Sequence, residues 1–203
     1  MTTPTPYSLP ELPYCESALE PVVSGEIMEL HHGTHHANYV KAANDAVAKL
    51  DALAADEDPS ALLRALAFNL SGHVLHSLFW TSMSPHATQI SPALDEAIVV
   101  AFGSVSSLRA RMTSTLAHLS GSGWAVLAWE PVARRLLVSS VHDHQGEVVQ
   151  GATPLLVIDG WEHAYYLDYK ANRAKWAEQF FDIADWSSAS DRLEAAAQLR
   201  TTT

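Results

Sequence analysis

Apolar residues recur at helical spacing from Ser24 onward. Ile27, Leu30, Val40, Ala43 and Val47 share a face behind Ser24, a good helix cap, and predict one long helix through about Leu53. The acidic, proline-containing stretch Asp56 to Ser60 breaks it, and Ala61 to about Met83 predicts a second helix carrying Leu62, Leu66, Leu70 and His73. Together they suggest an α-hairpin. Pro85 and Ser91-Pro92 mark a linker, so the chain divides into an α-hairpin unit, 1–90, and a second unit, 91–203. Residues 92–102 and 104–119 predict two shorter helices parted by Gly103. The period then changes: GWAVLAW, RRLLVSSV and TPLLVID are short apolar runs that predict three strands. From Trp161 the helical pattern returns through Tyr165, Tyr169 and Trp176, and Ser187 to Leu199 predicts a last helix.

Composition narrows the classes of function. The 203 residues, 48% of them apolar, can fill the core of one domain or two small ones. Twelve basic against 23 acidic residues give a formal charge of -11, which repels nucleic acid and anionic membrane surfaces, so neither is an expected partner. Cys15 is the only cysteine, which excludes an internal disulfide and fits a reducing, cytoplasmic setting. The opening MTTPTPYSLPELPY lacks the basic and apolar regions of an export signal, and no apolar run approaches the roughly 20 residues of a spanning helix. A soluble protein is expected.

Histidine changes this picture most, because four of the 11 histidines fall between His31 and His36. In an α-helix His31, His35 and Tyr39 lie along one face, which suits a metal ligand with supporting side chains beside it. Taken alone, the cluster also suits a solvated surface or an adventitious metal trap. His73 and His76 sit three apart within the apolar sequence SGHVLHSLFW, where a satisfied core histidine is the ordinary alternative. Two of them, followed by Phe79 and Trp80, look more like a ligand set against a dry aromatic wall. Asp159 ends the apolar run TPLLVID, and His163 follows four residues on, a placement that aims two ligands together. Helix capping by Asp159 is the alternative.

The segments LPELPY and ALEP, LHHGTHHANYV, FNLSGHVLHSLFW, GSGWAVL, HDHQ and DGWEHAYYLDYK occur in the order and spacing of the iron/manganese superoxide dismutases, and the chain resembles that family over nearly its whole length. The resemblance implies a mostly helical α+β fold: a long N-terminal α-hairpin followed by an α/β domain with a three-stranded antiparallel sheet. It implies one iron or manganese ion per chain, held by His31, His76, Asp159 and His163, with water or hydroxide as a fifth ligand. The matching outer residues are His35, Tyr39, Trp80, Trp124, Trp161 and His144. Many relatives carry glutamine at the His144 position, and either side chain can hydrogen-bond the bound solvent. Tyr39, His35 and His144 are thereby the candidate catalytic residues, with Tyr39 and His144 relaying protons.

Glu162 and Tyr166 match residues that, in relatives, reach the neighbouring subunit's site, so the resemblance implies a homodimer, or that dimer paired into a tetramer. The implied substrate is superoxide, disproportionated to oxygen and hydrogen peroxide, and the centre would also attract other small anions. A 2-His-1-carboxylate oxygenase keeps several positions open, whereas a fourth protein ligand leaves little room, which favours dismutation. Several residues depart from the family pattern: Thr34 in place of a lysine that helps steer superoxide, Glu16, Ala171, Ala174, Asp182 and Asp185. The competing reading is a dismutase-derived protein that keeps the metal for another redox reaction, such as one of specialised metabolism, or for metal storage or sensing.

Overall fold

A computed structural model describes residues 5–198. Ser24 caps the first helix as expected, its Oγ accepting from the Ile27 N–H at 3.3 Å. The predicted long helix is continuous in course but not in type: α1 (Gly25–Leu30) passes through a π-helical turn, His31–His36, into α2 (Ala37–Asp51). The Ala37 N–H reaches back five residues to the His32 carbonyl, so residues five apart come into line. This corrects the expectation of His31, His35 and Tyr39 along one stripe. His31 and His36 are the buried pair, at 1% and 0% exposed, and His35 and Tyr39 are half-buried.

Helix α3 (Ser60–Trp80) runs back against α2 to close the hairpin. It ends three residues before the expected Met83, because the Thr81 hydroxyl donates to the Ser77 and Leu78 carbonyls and the Ser82 hydroxyl to Leu78, satisfying the last turn. Met83 pairs instead with Ala184 as an isolated β-bridge. Helices α4 (Pro92–Phe102) and α5 (Val105–Ala117) follow, parted by Gly103 in the left-handed conformation at φ 84°.

The three strands form where expected: β1 (Gly123–Glu130), β2 (Arg135–His142) and β3 (Thr153–Asp159). The sheet is antiparallel in the order β2-β1-β3, so β1 is central and all but its last residue is buried. The α+β architecture of helical hairpin followed by three-stranded sheet is as expected.

The helix expected from Trp161 onward is broken into three pieces. A 3-10 turn at Glu162–Ala164 leads to α6 (Tyr166–Tyr169), and α7 (Arg173–Gln179) starts afresh behind Asn172, whose Oδ1 accepts from the Lys175 N–H at 3.1 Å. Lys170 between them takes φ 53°, which no helix continues through. Helix α8 (Trp186–Gln198) closes the described chain, and the expected end at Leu199 lies outside the described residues. Asp185 caps α8, accepting from the backbone and hydroxyls of Ser187 and Ser188. One contiguous core spans both halves, with Phe79, Trp80 and Met83 of the hairpin side packed among Trp124, Trp176 and Phe180. Among the described residues, no helix is long and apolar enough to cross a membrane.

Candidate metal centre

Asp159, the last residue of β3, is fully buried and held on three sides. Its neighbour across the sheet is Trp124, its backbone carbonyl accepts from Trp176 Nε1 at 2.7 Å, and its Oδ1 accepts from the Trp161 N–H at 2.8 Å. That last bond is the capping role weighed for Asp159, and it occupies only one carboxylate oxygen. Oδ2 faces three imidazoles, standing 3.2 Å from His31 Nε2, 3.3 Å from His163 Nε2 and 3.7 Å from His76 Nε2.

The three histidines come from three elements. His31 projects from the π turn, His76 from α3, and His163 from the 3-10 turn after the sheet. His76 is aimed by its own helix: Nδ1–H donates to the Gly72 carbonyl at 2.6 Å, which leaves the Nε2 lone pair for the pocket. One ligand atom from each of His31, His76, Asp159 and His163 lies within 4.8 Å of the others. Donors about 2.0–2.2 Å from a shared ion stand about 2.8–4.4 Å apart, so the carboxylate–imidazole spacings suit such an ion. The buried Nε2 atoms of His31 and His76 have no hydrogen-bond partner, a costly state that a cation would relieve.

The charge states fit the same group. Burial, reinforced by the His163 charge, pushes the His31 imidazole down to about 4, and burial drives His76 well below its ordinary value. Both are neutral at pH 7 and offer lone pairs. Burial alone would raise Asp159, but the His163 and His31 imidazoles close to its Oδ2 outweigh it and hold the carboxyl well below the usual carboxylate range. Two neutral imidazoles and an ionised carboxylate, with His163 beside them, make a nitrogen- and oxygen-rich donor set suited to iron or manganese.

Around this point the aromatic residues named from the sequence assemble. Trp80 meets His31 edge-on at 4.9 Å and Trp124 meets His76 at 5.0 Å, both indoles fully buried. His35 stacks on His163 at 4.4 Å, and Trp161 stacks on His163 at 5.5 Å and on His144 at 4.6 Å. His144 accepts from Trp124 Nε1 through Nδ1 at 3.1 Å, leaving its buried Nε2 unpartnered, and burial pushes it down to about 4. The Tyr39 ring lies 4.6 Å from His144 and 5.0 Å from His76, and burial, with Asp159 and Asp143 nearby, raises its phenol so that it stays protonated. Glu162 and Tyr166 are exposed and border a surface depression with Arg173.

Some participants were not read from the sequence. Gly72 was one: a Cβ there would stand 3.0 Å from the Tyr39 ring and 3.2 Å from His144, so glycine lets both rings pack closely against α3. A glycine inside a helical pattern was the available signal. Phe68, 4.9 Å from His144, and Trp176, which holds the Asp159 carbonyl, carried no signal beyond an apolar pattern.

The iron/manganese superoxide dismutase C-terminal domain model matches residues 90–192, and the α-hairpin domain model of the same proteins matches residues 6–84. The chain belongs to the iron/manganese superoxide dismutase family. A relative from Mycobacterium tuberculosis, named an iron superoxide dismutase, is 45% identical over 194 residues, 94% of each chain. A manganese superoxide dismutase of Mycolicibacterium fortuitum is 44% identical over 195 residues, again 94% of each chain. A manganese/iron superoxide dismutase of Propionibacterium freudenreichii is 43% identical over 196 residues, 94% of this chain and 98% of that one. The names span both metals, as does the donor set of this dismutase-family centre.

Proposed function

We infer that the chain is an oxidoreductase that disproportionates superoxide, two superoxide anions and two protons giving dioxygen and hydrogen peroxide. We assign His31, His76, Asp159 and His163 as the ligands of one iron or manganese ion. The observation that carries the reading is the convergence of three imidazoles and one ionised carboxylate oxygen on a single point closed off by indoles. An iron or manganese ion held by these four side chains would supply the one-electron couple that the disproportionation needs.

The chain's own groups do the rest. Asp159 Oδ2 and the imidazole lone pairs hold the ion, while Trp161 N–H and the Gly72 carbonyl fix the two donors they touch. Phe79, Trp80 and Trp124 keep water from the inner side. His35, Tyr39 and Trp161, half-buried, form the lip through which a small anion enters. The Tyr39 hydroxyl holds a proton across the neutral range, and His144 Nε2 is free to exchange one with solvent in the pocket. Glu162 and Tyr166 act across a homodimer, the glutamate toward the partner's liganding histidine and the tyrosine toward the partner's His35; their exposure on a single chain supports this. Cytoplasmic residence accords with the lone, exposed Cys15.

Cytochrome c competition or pulse radiolysis on the metal-loaded protein tests the activity, with metal content measured on the same sample. Asp159→Ala is expected to lose the ion and more than about 100-fold of the rate. A full metal site without dismutation would overturn the reading in favour of another redox role or of metal storage.

A further inference from the structure

Two histidines of the hairpin, His36 and His73, are not accounted for by metal holding or proton transfer, yet they form a hydrogen-bonded series behind the site. Trp80 Nε1 stands 2.9 Å from His36 Nδ1, and His36 Nε2 stands 2.8 Å from His73 Nδ1. An indole N–H donates and never accepts, so His36 Nδ1 is bare and its single proton sits on Nε2. That proton is donated to His73 Nδ1, which leaves the proton of His73 on its own Nε2. The opposite direction would strip His36 of both protons. The series therefore has one sense, from Trp80 through His36 to His73.

We propose that His73 is a positioning residue for the metal centre: by accepting from His36 it selects the tautomer that receives the Trp80 indole, and so holds that indole against His31. The proposal rests on His31 being a ligand. Trp80 meets His31 at 4.9 Å with planes 76° apart, and His36 itself stacks on His76 at 5.3 Å, so the series touches two of the four assigned ligands. Everything around it is tied down. The Ser77 hydroxyl donates to the His73 carbonyl at 2.9 Å. The N-terminal segment covers the outer end: Tyr7 and Asn44 exchange two hydrogen bonds, and the Tyr7 ring lies 5.9 Å from His73. His32 Nε2–H donates to the Pro10 carbonyl at 2.8 Å, and the Tyr14 hydroxyl donates to the Trp80 carbonyl at 2.8 Å. Without an acceptor at position 73, His36 either keeps a buried N–H unpaired or moves its proton to Nδ1 and repels the indole.

The test compares His73→Leu with His73→Asn in the full-length, metal-loaded protein. Asparagine keeps an acceptor oxygen and leucine does not. His73→Leu is expected to release the ion to a competing chelator about tenfold faster and to change the electron paramagnetic resonance spectrum of the iron-loaded form. His73→Asn is expected to stay near the unsubstituted protein in both. Equal behaviour of the two variants, or an unchanged His73→Leu, would overturn the proposal. Trp80→Phe removes the donor at the other end and should reproduce the leucine result, which covers a leucine variant that fails to fold; an unchanged Trp80→Phe would equally overturn it. A His31→Ala protein that still holds its ion would instead defeat the ligand assignment, separately from anything seen at position 73.

Discussion

The two walls of the metal pocket are built on different terms. His36, His76, Phe79 and Trp80 on the inner wall are 0–2% exposed, and every ring nitrogen among them is hydrogen-bonded or aimed at the pocket. His35, Tyr39 and Trp161 on the outer wall are half-buried; His35 and Trp161 stack on His163 and His144, and the Tyr39 ring lies tilted on His76. Rigid, dry packing fixes donor orientation, whereas a looser rim leaves room for an anion and for protons to pass. Holding a metal and turning over superoxide are thus assigned to opposite sides of the same four side chains.

Acid should break the buried layer first. His31 and His144 titrate at about 4 and His36 at about 3 in the folded chain, against 6.5 when exposed. Between those values the unfolded chain binds more protons, so stability is level above about pH 6.5 and falls as pH drops toward 4, by up to about 1.4 kcal/mol per pH unit for each of the three. Urea unfolding of the metal-free protein at pH 7 and pH 5 measures it; equal midpoints would contradict the dry packing of these rings. In the loaded protein protons also compete with the metal for imidazole, which gives the same sign.

Gly72→Ala probes where the walls meet. In an open helix the change would stabilise, since glycine there costs up to about 1 kcal/mol. Here the new methyl group presses on Tyr39 and His144 together, so a net loss of about 1 kcal/mol is expected, with slower dismutation. A stability gain in denaturant titration would show that the two rings can yield.

The smallest effect is expected at the rim. Thr34 is exposed in the π turn of a chain with a formal charge of -11, so superoxide approaches against the overall field. Thr34→Lys should raise the rate about threefold at low ionic strength and progressively less as salt screens the charge. Equal rates with and without the lysine at both salt concentrations would remove steering from the account.

Much of this was legible in the sequence. Strand boundaries followed from runs such as GWAVLAW, because a short apolar run between turn residues is a local property. Ser24 and Gly103 marked helix ends through chemistry carried by single residues. What failed was what the local backbone hydrogen-bonding pattern decides: the π turn at the histidines, the early end of α3 and the breaks after Trp161. Nothing in HHGTHH distinguishes five-residue from four-residue bonding, and Lys170 has no intrinsic preference for positive φ.

By itself the sequence determined which residue types are present and roughly which element bears each, and its resemblance to a known family named His31, His76, Asp159 and His163 as a set. Only the tertiary structure decided that Asp159 divides its oxygens between a turn and the imidazoles, and that His36 rather than His35 lies beneath the site. It likewise decided that the series Trp80, His36, His73 is hydrogen-bonded in one sense. The bonds from Trp80 to His36 and from His36 to His73 join chain segments dozens of residues apart. A hydrogen bond's direction is fixed only when both partners and their remaining bonds are in place.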